Sequence, residues 1–138
     1  MFFASLSKHA DLGLLLIRLI TGCMFLYYGT PMLFGGAEKW AQVGSAMSSI
    51  GISFWPAFWG FFAGLSEFLG GICLILGLFY RLACMFLVFT MFVAVSMHLK
   101  KGDGLFGAGH AIEDSALFLG MIFVGPGKYS LDVFLWGR

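Results

Sequence analysis

Charge is what this sequence has least of. Asp, Glu, Lys and Arg together make up 11% of its 138 residues, against about 25% in soluble domains. Hydrophobic residues make up 60%, and the mean hydropathy is +0.95. So short a chain cannot enclose that much apolar surface in a water-soluble core, so composition excludes an ordinary soluble domain and points to a lipid bilayer as solvent. The net charge of +1 comes without a basic cluster, which excludes nucleic acid as a partner. No linker or low-complexity stretch divides the chain, so residues 1–138 read as one domain. The three cysteines, Cys23, Cys73 and Cys84, lie scattered in apolar runs without a C-x-x-C pair. That excludes a disulfide framework or zinc site and leaves small buried hydrophobes. Dinucleotide, P-loop, serine-hydrolase and zincin motifs are all missing.

What is present is a set of apolar stretches long enough to span a membrane, for which ~20 residues are needed. Expected helices cover about 12–34, 55–79, 82–98 and 111–124, an all-α, four-helix transmembrane bundle with antiparallel neighbours and both termini on one side. Arg18 divides the first stretch and no convincing A-x-A site follows, so it reads as an uncleaved first helix. Pro56 suits a first helical turn, "GLFYRL" around Arg81 suits a hairpin, and Gly125, Pro126 and Gly127 stop the last span. Lys8, Arg81, Lys128 and Arg138 fall on the side of the termini against Lys39, Lys100 and Lys101 opposite, an asymmetry that favours termini in the cytoplasm. Between the first two spans, Trp40, Val43, Met47 and Ile50 recur at helical spacing in an amphipathic segment of about 37–50. Lying flat on the interface is its simpler placement; folding over the bundle mouth is the other. "KKGDGLFGAGH", residues 100–110, has four glycines and reads as a loop or a closing flap.

"GFFAGLSEFLGGICLILGLF", residues 60–79, carries a single acid, Glu67. Gly60, Gly64 and Gly71 share its helix face, and small residues there admit a neighbouring backbone. Glu67 therefore points into the bundle. An ionised group at mid-span costs roughly 2.5–3.5 kcal/mol or more, so a cation is expected beside it. Arg18 is the candidate. It lies roughly 18 Å from the Tyr28–Thr30 end of its helix, and Glu67 roughly 16 Å from the Pro56 end of the next. Antiparallel packing with level ends predicts an Arg18–Glu67 ion pair, serving either a site or helix register alone.

A second polar group is expected at the mouth opposite the termini. His98 closes the third span on a face with Thr90 and Ala94, while His110, Glu113 and Asp114 open the fourth. Glu113 and Asp114 diverge by about 100°, and Glu113 is expected inward because its face carries Gly120. A histidine with carboxylates suits a proton relay or a quinone headgroup, or polar helix ends wetted by water. A metal held by His98, Glu113 and His110 is the lesser alternative, and the expected assignment is no metal.

Several strings together resemble the DoxX family of small four-helix membrane proteins: "LLLIRLITGCMFLYYGTPMLFGG", "SEFLGGICLILGLFYRLA", "TMFVAVSMH", "HAIEDSALFLG" and "GPGKYSLD". The most specific are E-x-x-G-G-x-x-L-x-x-G-L-x-x-R from Glu67 to Arg81 and the string from Gly125 to Asp132. The family pattern F-x-x-H-G-x-x-K-L is met by "FLYYGTPML", so Tyr28 and Met32 stand where His and Lys are usual, and the Tyr28 hydroxyl is the candidate substitute. The resemblance implies a bacterial inner-membrane protein tied to redox chemistry, with a quinone and redox proteins as partners. On that reading Glu67, His98 and Glu113 handle protons, and Arg18, Tyr28, Glu67, His98 and Glu113 surround the ligand. More distant relatives imply the alternative, a non-catalytic scaffold or assembly factor. The small-residue stripes would serve a homo-oligomer as readily as the bundle itself.

Overall fold

The computed structural model describes residues 2–137, with Phe2 by its backbone alone. Arg138, counted above among the charges near the termini, lies outside the described residues. Seven α-helices follow one another: α1 Phe2–Leu6, α2 Ala10–Leu33, α3 Ala37–Gly44, α4 Pro56–Leu76, α5 Tyr80–Lys101, α6 Gly104–Val124 and α7 Leu131–Trp136. Short 3-10 turns at Ser7–His9 and Ser45–Ile50 extend the first and third. Among the described residues there is no strand.

Three of these segments are long and apolar enough to cross a membrane: Phe3–Leu33, Pro56–Leu76 and Tyr80–Lys101. The helix α6 matches them in length, with 21 residues, but carries His110, Glu113 and Asp114 in its first half. Phe62, Leu69, Phe86, Phe89 and Phe92 are exposed on α4 and α5, as side chains solvated by lipid would be.

The glycines of residues 77, 102 and 125 mark the ends of α4, α5 and α6. At Gly77, φ is +65°, and the amides of Gly77 and Leu78 bond back to the carbonyls of Leu74 and Cys73, a left-handed stop that glycine adopts without a Cβ penalty. The turn covers Gly77 to Phe79, so Tyr80 and Arg81 belong to α5 rather than to a longer hairpin. The expected loop at 100–110 shrinks to Gly102 and Asp103, because α6 begins at Gly104. Glycine costs about 1 kcal/mol in a helix interior, which argued against helix here. Ala108 and Ala111, 0% and 6% exposed, show the packing that outweighs the cost.

The amphipathic segment forms α3, which folds onto α4: Gly44 sits against the Pro56 carbonyl and Gly60 against Trp40, backbone on backbone. The Trp40 indole N–H donates to the Met32 and Leu33 carbonyls, both at 3.1 Å, supplying the donor that the end of α2 lacks. The buried core joins Phe25 of α2, Leu74 of α4, Tyr80, Cys84, Leu87 and Met91 of α5, and Ala111, Phe118 and Met121 of α6. Of the cysteines only Cys84 is buried; Cys73 is half-buried and Cys23 exposed, so the third expected core thiol lies on the outer face of α2.

Candidate functional site

Helices α2 and α4 meet along their glycines and run in opposite directions. A Cβ on Gly64 would lie 2.9 Å from the Leu33 amide, one on Gly29 2.6 Å from the Phe68 amide, and one on Gly71 2.9 Å from the Leu26 amide. Facing residue numbers therefore add to about 97 (33 with 64, 29 with 68, 26 with 71). Residue 79, not Glu67, is level with Arg18. The expected Arg18–Glu67 ion pair is absent, since about 12 residues, roughly 18 Å of helix, separate the two levels. The depth comparison failed because the helix ends are not level: α2 ends at Leu33, which faces Gly64, so α4 begins at Pro56 well beyond the end of α2, an offset that residue counting from Thr30 and Pro56 does not contain.

Arg18 instead closes the other end of the bundle. Only 1% exposed, it donates from Nε to Leu74 O (2.9 Å), from Nη2 to Ile75 O (3.1 Å), and from Nη1 to Pro126 O (2.9 Å) and Tyr129 O (2.8 Å). Leu74 and Ile75 are in the last turn of α4, where free carbonyls and the helix dipole attract a cation. The guanidinium is thus neutralised by dipoles, and none of its hydrogen bonds reaches a ligand cavity.

Residues 125–132 complete this clasp. The Asp132 carboxylate accepts from Phe79 N (2.8 Å) and Tyr80 N (2.9 Å), the open amides at the start of α5, and the Asp132 amide donates to Gly77 O (2.9 Å). Ser130 accepts from Val133 N (3.3 Å) as the cap of α7 and donates to Gly127 O (2.8 Å). Arg81 Nε donates to Ile122 O (2.9 Å), and Asp11 accepts from Lys128 N (2.9 Å). Ser130 and Asp132 received no role from sequence reasoning; the S-x-D pattern ahead of an apolar turn is the capping signal that marks them.

The buried acid lies toward the opposite end. Glu67 is 6% exposed, flanked as expected by buried Gly60, Gly64 and Gly71. Its Oε2 is buried without a hydrogen-bond partner. The side chain forms part of the wall of a cavity of about 510 Å³ between α4, α5 and the α3 segment, otherwise lined by apolar groups such as Phe62, Phe89, Met91 and Met97. Ser66, Thr90 and Gln42 are the uncharged polar residues of that wall. The volume is in the range of small-molecule sites, roughly 300–1,000 Å³.

On α6 the structure selects Asp114 over Glu113. Glu113 is exposed and Gly120, the small residue that favoured its face, is exposed with open space around it. Ala108, Ala111, Phe118 and Met121 form the buried stripe, and Asp114 falls within it at helical spacing. Asp114 lies near enough for like-charge repulsion to reach Glu67. Its Oδ2 is buried and stands 3.3 Å from His110 Nε2. Tyr28 of α2 places its ring edge-on to His110, with centroids 6.0 Å apart. Tyr28, Glu67, His110 and Asp114 thus form the polar group of this end.

His98 is not in it. Its Nδ1 hydrogen-bonds Asp103 Oδ2 at 2.7 Å across the α5–α6 turn, although Thr90 and Ala94 of the same face do line the cavity. His98, Glu113 and His110 accordingly do not converge. Among the described residues no three His, Cys, Asp or Glu side chains are arranged to hold a metal.

Comparison with known proteins bears on the whole arrangement. A Haemophilus influenzae protein described only as uncharacterized is 31% identical over 140 residues, covering 93% of this chain and 94% of its own. No solved structure matches significantly. The DoxX family model matches residues 13–99, from the first apolar helix through Arg18, Glu67 and Arg81 to the last turn of α5. This integral membrane protein therefore belongs to the DoxX family.

Proposed function

We propose that the protein binds a quinone or a similar lipophilic ring compound in the α4–α5 cavity, as the membrane subunit of a redox system. In this reading α2, α4, α5 and α6 are four antiparallel spans of a bacterial inner membrane, with both chain ends on the cytoplasmic face. One observation carries the proposal: the Glu67 carboxyl, more than nine-tenths buried, lines the cavity with Oε2 unpartnered. A buried polar group without a partner costs about 1–3 kcal/mol, more if charged, and a ligand hydroxyl or carbonyl would supply what is missing. The residues fit a ring headgroup hydrogen-bonded at one oxygen, with an apolar tail against the phenylalanines and methionines.

A quinone would supply paired electron and proton uptake. Glu67 would hold or accept the proton at the ring oxygen, while Asp114 and the exposed His110 connect it toward water. Purification in mild detergent followed by mass spectrometry of bound lipids tests the reading, together with melting in the presence of a short-chain quinone. Co-purified quinone and a melting shift lost in Glu67→Gln are expected. The absence of both bound quinone and a melting shift would overturn it.

A scaffold or assembly role is the second reading, favoured by the complete engagement of Arg18 and Asp132 in backbone contacts. It differs in requiring no ligand at Glu67, so Glu67→Gln would then retain full function.

A further inference from the structure

The cavity mouth continues into a groove of different character. Ser45, Ser48 and Ser49 of the 3-10 turn face Lys100 and Lys101 of α5 around about 570 Å³, and Gln42, Ala46 and Met97 wall both spaces. No acid lines the groove. Among the described residues neither lysine has a carboxylate within ion-pair range. Ser49 Oγ is buried without a hydrogen-bond partner.

The dipole at the end of α5 accounts for cations in its last turn. It does not account for the serines of the facing wall, of which Ser48 is exposed, or for a groove that collects cations and no acid. Both features suit a phosphate, which accepts from ammonium and hydroxyl groups together. The groove also opens at the end of an apolar span, where lipid headgroups lie, and shares its walls with an apolar hollow. A soluble anion would use the polar residues alone; a lipid would also lay an acyl chain along the shared wall at Ala46 and Met97.

We propose that this groove seats the phosphate of an acidic phospholipid of the surrounding leaflet, at the entrance to the α4–α5 cavity. Juxtamembrane lysines attract acidic lipids in general; here the serines and the cavity wall give the attraction a fixed address. The inference is independent of what the cavity holds.

The test uses the full-length protein in detergent micelles doped with phosphatidylglycerol or with phosphatidylcholine of the same acyl chains, read by native mass spectrometry and thermal unfolding. Phosphatidylglycerol is expected to remain bound and to raise the melting temperature by several degrees over phosphatidylcholine. In Lys100→Gln/Lys101→Gln its binding should weaken roughly thirtyfold, with melting in phosphatidylcholine unchanged. Ser48→Ala/Ser49→Ala, which keeps every charge, should weaken it severalfold. Lys39→Gln, which removes a positive charge outside the groove, should leave it intact, as should Glu67→Gln, so the outcome separates from that of the quinone reading. Equal stabilisation by both lipids would overturn the proposal. So would a preference that survives the lysine double variant, or one lost equally in Lys39→Gln. Inorganic phosphate reproducing the full shift would assign the groove to a soluble anion and overturn the lipid.

Discussion

Arg18 and Asp132 secure the same turn from opposite charge. Arg18 takes the carbonyls of Leu74 and Ile75 where α4 ends, and Asp132 takes the amides of Phe79 and Tyr80 where α5 begins. Each satisfies the groups that a helix end leaves open, and each has the sign that the local dipole favours. Phe79, held at φ +47° between them, is in a conformation that non-glycine residues seldom adopt. The two side chains together hold a tight α4–α5 connection.

Removing Arg18 should therefore destabilise the fold whatever stands at position 67. Stranded carbonyls cost about 1–3 kcal/mol each, so Arg18→Met is expected to lower stability by several kcal/mol in urea or thermal unfolding in detergent. Arg18→Met/Glu67→Gln should show no rescue, with the two effects adding to within about 0.5 kcal/mol. A coupling well above that would restore the ion pair that the register denies.

Glycine substitutions should divide by where the new methyl points. Gly29→Ala places a Cβ 2.6 Å from the Phe68 amide, and Gly22→Ala places one 2.7 Å from the Gly71 carbonyl. Neither backbone can yield without parting the helices, and overpacking of this kind costs typically about 1–3 kcal/mol. Gly13 and Gly120 have nothing within 4 Å of such a methyl, so alanine there should be neutral or stabilising by up to about 1 kcal/mol. Melting temperatures of the four variants check the division.

The adjacent acids of α6 make the sharpest pair. Asp114→Asn should alter ligand-dependent melting and its pH profile, because Asp114 stands 3.3 Å from His110 and lies within reach of Glu67 by charge. Glu113→Gln, on the exposed face, should leave ligand-dependent melting as in the parent and change the pH profile less. Equal effects of the two substitutions would contradict the orientation of α6.

Much of this was open to reading in the residues. The glycine face that turns Glu67 inward follows from spacing alone, as do the proline start of α4 and the Gly125 stop. Two features resisted, for physical reasons. Depth along a span can be compared between helices only if their offset is known, and that offset is set by tertiary contacts such as Gly64 on Leu33. The choice between Glu113 and Asp114 turned on one small residue, Gly120, whereas the stripe Ala108, Ala111, Phe118 and Met121 held the stronger signal. That stripe begins in the glycine-rich stretch read as a loop, so its first members were not counted as helix. Arg18 was rightly expected to be buried and assigned the wrong partner, because backbone carbonyls, present at every residue, leave no mark in a sequence.

The acceptors of Arg18 also fix an order of assembly. Two of its four hydrogen bonds go to Pro126 and Tyr129, residues 108 and 111 positions further along. The guanidinium belongs to α2, early in the chain, yet half of its acceptors lie beyond α6. The clasp at this end of the bundle can therefore close only once residues 126–129 are in place, and pairing of α2 with α4 alone leaves the guanidinium two acceptors short.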